Sequence, residues 1–217
     1  EFEELRNKIN NGSAADLLED DVNRMILGAS SYEQLDKLSS SDKNKVYSQF
    51  ESDLGSKTRA EAAELFDALV AISAAADDIS ETEWTQMLEI SATTLGIRNL
   101  PIYEQYKAMD EDDRKSVKKK TYSNGTSAVD EFADAFAGAV LNTRLMSAGQ
   151  YSNVQKILKE NADLFSGTDI NGISVNEAKY IISHISDSDI TIKAIADLIE
   201  EAEEKASDSI STGGGSG

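Results

Sequence analysis

The sequence predicts an all-α protein, a helical bundle of about ten short-to-medium helices. Apolar residues recur at spacings of three and four along most of the chain, as on the buried face of a helix. Ser or Thr is followed three residues later by Glu or Gln at five helix starts, which is the capping-box pattern. These pairs are Ser31 and Gln34, Thr58 and Glu61, Ser80 and Glu83, Ser147 and Gln150, and Ser174 and Glu177. The chain has one proline, and β-branched alternation is nearly absent.

The segment 59–96 predicts an antiparallel helical hairpin at the centre of the bundle. Its first helix carries an apolar face at helical spacing: Leu65, Phe66, Leu69, Val70 and Ile72. Asp77 and Asp78 end that helix because Asp side chains compete for backbone hydrogen bonds. Ser80 then caps the second helix, and Ile79 is placed to pack as a hydrophobic staple against Trp84. Gly96 suits the left-handed backbone conformation that commonly ends a helix.

The chain before the hairpin predicts four shorter helices. The first runs from Phe2 to Ile9 and a second follows the N-cap Ser13 and closes at Gly28. A third follows Ser31, and a fourth, carrying Val46 and Phe50, closes at Gly55. After the hairpin, Pro101 begins a helix where its missing N–H costs nothing. The charged run 110–120 is either an ion-binding or docking patch or a solvated helix whose charges oppose its macrodipole, and we favour the helix.

The break at 123–126 separates two predicted halves. The N-terminal half is 1–122, the C-terminal half is 123–206, and 207–217 reads as a flexible Gly/Ser tail or linker. The halves are loosely similar when Ser147 is placed over Ser80, because Tyr151 then matches Trp84. That match predicts an inward-facing Tyr151. Ser174 begins a third copy of the pattern found at Ile79 and Ser80, because it too is a capping serine preceded by an isoleucine, Ile173.

Composition excludes several classes of protein. Asp and Glu number 40 against 21 Lys and Arg, so the net charge is −19. This charge argues against nucleic acid and anionic membranes as partners and favours a protein partner, either a basic one or a second copy. No apolar run approaches the roughly 20 residues of a membrane span. With no visible signal peptide, we expect a cytoplasmic or particle-associated protein. The absence of cysteine excludes disulfides and thiolate sites.

Catalytic signatures are missing from the sequence. It contains no phosphate-binding glycine loop, no nucleophile elbow and no HExxH motif. The single histidine, His184, reads as a helix-end residue rather than a catalytic base. Residues 169–177 resemble an EF-hand loop, but the glycine is displaced from the position that the loop requires. We therefore expect no enzyme activity and no catalytic or cofactor-binding residues.

Residues 62–96 resemble the tellurite-resistance TerB-like helical domain. The matching residues are the run 74–83, AAADDISETE, and the later pair Leu95 and Gly96. The family usually has Asp-Gly where this chain has Asp77 and Asp78. The resemblance implies an all-helical bundle with an acidic surface that binds rather than catalyses. It also makes Asp77 and Asp78 the candidate ligands for calcium or magnesium.

The sequence therefore favours a non-catalytic protein-interaction or structural assembly subunit built on an acidic helical bundle. A divalent-cation-binding, TerB-like stress-response domain is the first alternative. A component of a virus or phage particle is the second, since neither motifs nor composition would reveal such a role.

Overall fold

The computed structural model describes residues 1–11, 22–23, 26, 28–30 and 32–211. These residues form ten α-helices and no strand, which confirms the predicted all-α class and the expected number of helices. The helices are α1 (Phe2–Asn10), α2 (Ser40–Asp53), α3 (Arg59–Ala74), α4 (Glu81–Ser91), α5 (Pro101–Lys107), α6 (Glu111–Ser123), α7 (Val129–Met146), α8 (Tyr151–Glu160), α9 (Val175–His184) and α10 (Ile192–Ser211). Two 3-10 helices, Tyr32–Lys37 and Ala162–Leu164, lie between them.

The chain forms two compact units. Unit 1 contains the described residues of Glu1–Leu100 together with Gly125–Ala133. Unit 2 contains Pro101–Asn124 and the described residues from Asp134 onward. The division differs from the predicted halves, because residues 101–122 lie in unit 2 and the first turn of α7 lies in unit 1.

The core of unit 1 is built around α3 and α4. Helix α3 is apolar enough to be buried on most of its surface, and Phe66 packs edge-on against Phe50 of α2 with ring centroids 5.9 Å apart. Trp84 of α4 is fully buried, and its indole N–H donates a 3.0 Å hydrogen bond to the carbonyl oxygen of Ala71. The ring therefore joins the two helices of the predicted hairpin by burial and by a satisfied polar group.

The hairpin helices begin where the capping pattern predicts. Thr58 and Glu61 form a complete capping box at α3. At α4, the Ser80 hydroxyl accepts the Glu83 N–H at 3.1 Å, but the Glu83 carboxylate accepts from Lys37 Nζ at 2.9 Å instead of closing the box. Gly96 adopts φ +75°, as expected for a left-handed stop.

The core of unit 2 forms around α7. Phe136 packs against Tyr103 and Tyr106 of α5, with the Tyr106 ring edge-on at 5.1 Å. Gly138 allows the segment after α9 to approach very closely, since an added Cβ would lie 2.2 Å from the Ile190 carbonyl oxygen. Asn142, one turn along, donates to the carbonyl oxygens of Ser186 and Asp189, both at 2.9 Å. These contacts hold the 186–190 segment against α7.

The predicted similarity between the helix start at Ser147 and the helix start at Ser80 is wrong, because the chain around Ser147 adopts a different structure. Ser147 and Gln150 form no capping box: α8 begins at Tyr151, and its N-cap, Gln150, makes no side-chain cap bond. Gly149 takes φ +69°, which interrupts the turn before the helix. Tyr151 therefore sits at the first helical position and is 43% exposed, contrary to the inward orientation expected of it. The third copy of the pattern is capped as predicted, because the Ser174 hydroxyl accepts a hydrogen bond from the Glu177 N–H.

Two further expectations fall at the ends of the chain. The tail predicted over 207–217 is partly helical, because α10 continues to Ser211, and the remainder lies outside the described residues. The helix expected after Ser13 also falls mostly outside them. His184 is the last residue of α9, with Nδ1 2.9 Å from the Tyr180 carbonyl oxygen.

Candidate functional site

Asp77 and Asp78, the sequence candidates for a metal site, lie just after α3; Asp77 is half-buried and Asp78 is exposed. The Asp77 carboxylate accepts a 3.1 Å hydrogen bond from the Ser39 N–H. Asp42, a nearly buried carboxyl group in the first turn of α2, is the neighbouring acid whose pKa Asp77 influences. Burial alone would raise the pKa of Asp42, but hydrogen bonds from Asp77, Ser39 and Lys45 outweigh it and hold that pKa below its ordinary value.

Asp42 and Asp77 are therefore neighbouring carboxyl groups, and a hydrogen bond between them requires a proton on one of the two. Among the described residues, no three His, Cys, Asp or Glu side chains gather in a way that could hold a metal ion. Calcium prefers six to eight oxygen ligands, so other oxygen atoms would have to complete a site that had only these two carboxyl groups. The observed contacts of Asp77 connect α3 with the start of α2.

A groove on unit 1 is the more developed feature. It has a volume of about 560 Å³ and lies where α3, the turn after α4 and the first turn of α7 converge. Its apolar lining comprises Leu65, Leu95, Val129 and Ala133. The Cβ position of Gly96 would lie 3.9 Å from Cβ of Ala133, which shows how closely the turn after α4 approaches α7.

The charged lining of this groove is strongly acidic. Its acidic side chains are Asp53, Glu61, Glu64 and Asp130, and its single basic side chain is Lys57. Lys57 directs its ammonium group to the backbone carbonyl oxygen of Asp53 at 2.6 Å. Glu64 and Asp130 are exposed and make no ion pair with any residue that the structure describes. The acidic groove, defined by these eight apolar and acidic residues, is thus suited to a cationic partner with an apolar contact.

Two of its carboxylates have fixed positions. The Glu61 carboxylate accepts a 2.9 Å hydrogen bond from the Thr58 hydroxyl as part of the capping box. The Asp53 carboxylate accepts from the Gln49 amide at 2.9 Å. Because these groups are held by their neighbours, part of the negative field of the groove is preorganised.

Unit 2 holds a smaller cavity of about 390 Å³ lined by residues of α5 to α8. Arg144 donates to Gln105 Oε1 at 2.6 Å and to Glu160 Oε2 at 3.0 Å. Gln105 in turn exchanges two 3.0 Å hydrogen bonds with buried Asn161. The negative charges of Glu160 and Asp113 offset the positive charges of Arg144 and Lys156, so the cavity offers no dominant charge to a ligand.

Burial governs the ionisation of two more groups in unit 2. Burial, together with the charges of Asp110 and Asp112, raises the pKa of Asp113. Burial lowers the pKa of Lys120, whose ammonium group donates to the Thr143 hydroxyl at 3.2 Å. The basic end of the 110–120 run is therefore not wholly solvated.

Sequence reasoning missed the residues that line the acidic groove. Glu64 and Asp130 carry no local signal, since they are distant in the chain. Asp42 did carry one, because Ser39 precedes it by three residues and caps α2 as in other helix starts.

No helix among the described residues is long and apolar enough to cross a membrane. Comparisons with models of protein families, with curated proteins and with solved structures give no match to this chain.

Proposed function

We propose that this protein is a non-catalytic interaction module whose acidic groove binds a basic segment of a protein partner. The observation that carries the proposal is the groove itself, in which four carboxylates and one lysine surround an apolar lining. A partner segment with lysine or arginine on either side of an apolar residue is complementary to this arrangement.

The charge of the whole chain supports the same class of partner. A net charge of −19 attracts cationic segments over several ångströms and repels nucleic acid and acidic proteins. Rim charges such as Glu64 and Asp130 act mainly on the association rate and on specificity. Affinity then depends on how well an apolar side chain packs on Val129 and Ala133, which are half-buried in the free protein.

The test uses two synthetic peptides and calorimetry. One peptide is lysine-rich with a central leucine, and the other has the same sequence with glutamate in place of lysine. We expect the lysine peptide to bind unit 1 with an affinity that falls as salt is added, because exposed charges are screened over about 8 Å at physiological ionic strength. The glutamate peptide is expected not to bind.

Charge reversal at the groove supplies the matched comparison. We expect Asp130→Lys to weaken binding of the lysine peptide about tenfold, a loss of about 1.4 kcal/mol of binding free energy. Glu131→Lys is the control, because Glu131 is exposed in the same first turn of α7 but does not line the groove. Equal effects of both variants would show that only overall charge matters and would overturn the proposal.

A further inference from the structure

Unit 2 presents exposed apolar side chains beside a lysine. Met146, Tyr151 and Val175 are 42%, 43% and 41% exposed, which is unusual for side chains of this size. Lys179 Nζ lies 6.0 Å from the centre of the Tyr151 ring. Val175 and Lys179 are four residues apart on α9 and so share one face of that helix. We call Tyr151, Val175 and Lys179 the Tyr151 patch.

Lys179 is the charged residue of this patch, and it is exposed. It forms no ion pair with a residue in the described part of the chain. In a chain with 40 acidic and 21 basic side chains, a lysine without an ion pair beside an exposed aromatic ring is a distinct feature.

We propose that the acidic groove of one copy binds the Tyr151 patch of a second copy. This inference rests on the proposed function and names its partner. The two surfaces are complementary: the groove offers unpaired Glu64 and Asp130 beside an apolar lining, and the patch offers Lys179 beside an aromatic ring. A tyrosine is the type of anchor that concentrates binding energy at protein interfaces.

This contact has a consequence for assembly. Groove and patch are different surfaces, so each bound copy keeps one groove or one patch free for the next. Such a head-to-tail contact extends into an open chain of subunits or closes into a ring, depending on the rotation between successive copies. The protein then acts as a repeating subunit rather than as a symmetric dimer.

Light scattering after size-exclusion chromatography tests the contact. We expect the mass of the wild-type chain to rise with concentration and to fall with salt. Tyr151→Ala is expected to weaken association at least tenfold. Tyr122→Ala is the control, because Tyr122 is 52% exposed in the same unit but lies outside the patch. A monomer at all concentrations, or equal effects of both variants, would overturn the inference.

A charge exchange separates this contact from other modes of association. Glu64→Lys makes the groove of that chain more basic, and Lys179→Glu makes the patch of the other chain more acidic. We expect each variant alone to associate at least tenfold more weakly, and an equimolar mixture to regain mass because opposite charges then meet. A mixture that stays monomeric would refute the pairing of groove with patch. If the lysine peptide still bound the groove, the proposed function would survive that failure.

Discussion

The hairpin of unit 1 and the corner between α7 and α8 in unit 2 start from similar sequence patterns and reach different structures. Both place a Ser four residues before an aromatic residue. In the hairpin, α4 begins directly after Ser80, so Trp84 falls in the second half of the first turn and faces the core. In the corner, Gly149 adopts a positive φ, the helix begins at Tyr151, and the ring remains exposed. The position of the helix start decides whether the aromatic residue is buried.

Truncating the two aromatic residues should separate the regions most strongly. We expect Trp84→Ala to cost about 3–5 kcal/mol, because it leaves a cavity and the Ala71 carbonyl oxygen loses its indole donor. Tyr151→Ala should change stability by no more than about 0.5 kcal/mol, as is usual for surface positions. Urea unfolding followed by circular dichroism measures both. Similar losses would mean that the two regions do not differ as described.

Unit 2 relies on close backbone approach instead of a buried indole. We expect Gly138→Ala to destabilise the protein by about 1–3 kcal/mol, because the new methyl group would overlap the Ile190 carbonyl oxygen. Helix propensity alone would act in the opposite direction by about 1 kcal/mol. A thermal or urea melt showing a more stable Gly138→Ala variant would therefore contradict the close contact.

Gly149 tests why the corner departs from the hairpin. We expect Gly149→Ala to cost about 1–2 kcal/mol, because its backbone lies in the left-handed region at φ +69°. No neighbouring atom lies within 4 Å of the added carbon, so the cost would come from the backbone alone. A stabilised variant with higher helicity would instead indicate that α8 had extended back towards Ser147.

The two serines provide a smaller comparison. We expect Ser80→Ala to cost about 1 kcal/mol, since its hydroxyl caps α4. Ser147→Ala should be nearly neutral, because Ser147 is exposed and does not cap α8. Parallel urea melts decide the order. If the Ser147 change costs as much as the Ser80 change, the predicted capping box at 147–150 exists in solution.

The smallest expected effects depend on pH. The folded pKa of Asp42 is lowered, so its stabilising contribution is present above the unfolded pKa and is lost as the pH falls through the folded pKa. The folded pKa of Asp113 is raised, so its unfavourable contribution is present at neutral pH and is relieved on acidification. Asp42→Asn should therefore cost more at pH 7 than in acid, whereas Asp113→Asn should be more favourable at pH 7 than in acid. Urea melts across the acid range measure how the free energy of unfolding of each variant, relative to wild type, changes with pH. Equal slopes for the two variants would show that these assignments are wrong.

Local features were predictable, and features formed by distant residues were not. The capping box at Thr58, the N-cap at Ser174 and the left-handed Gly96 follow from residues within one or two turns. The bond between Ser39 and Asp77 joins residues 38 positions apart. The acidic groove combines residues of α3 with the start of α7, and no periodicity in the sequence indicates which turns will meet. Only the structure shows that Gly138 must lack a side chain, because its contact is with Ile190, which is distant in the chain.

The division of α7 between the two units has a consequence for synthesis on the ribosome. The chain passes from unit 1 to unit 2 after Leu100, returns at Gly125, and leaves unit 1 again after Ala133. Domains generally fold as units while the N-terminal part of the chain emerges first. Unit 1 cannot be completed until Ala133 has emerged, although residues 101–124 emerge earlier and await partners from later in the chain. Neither unit can therefore be produced by a single cut, and a nascent chain stopped between residues 100 and 125 would expose incomplete surfaces of both units to chaperones.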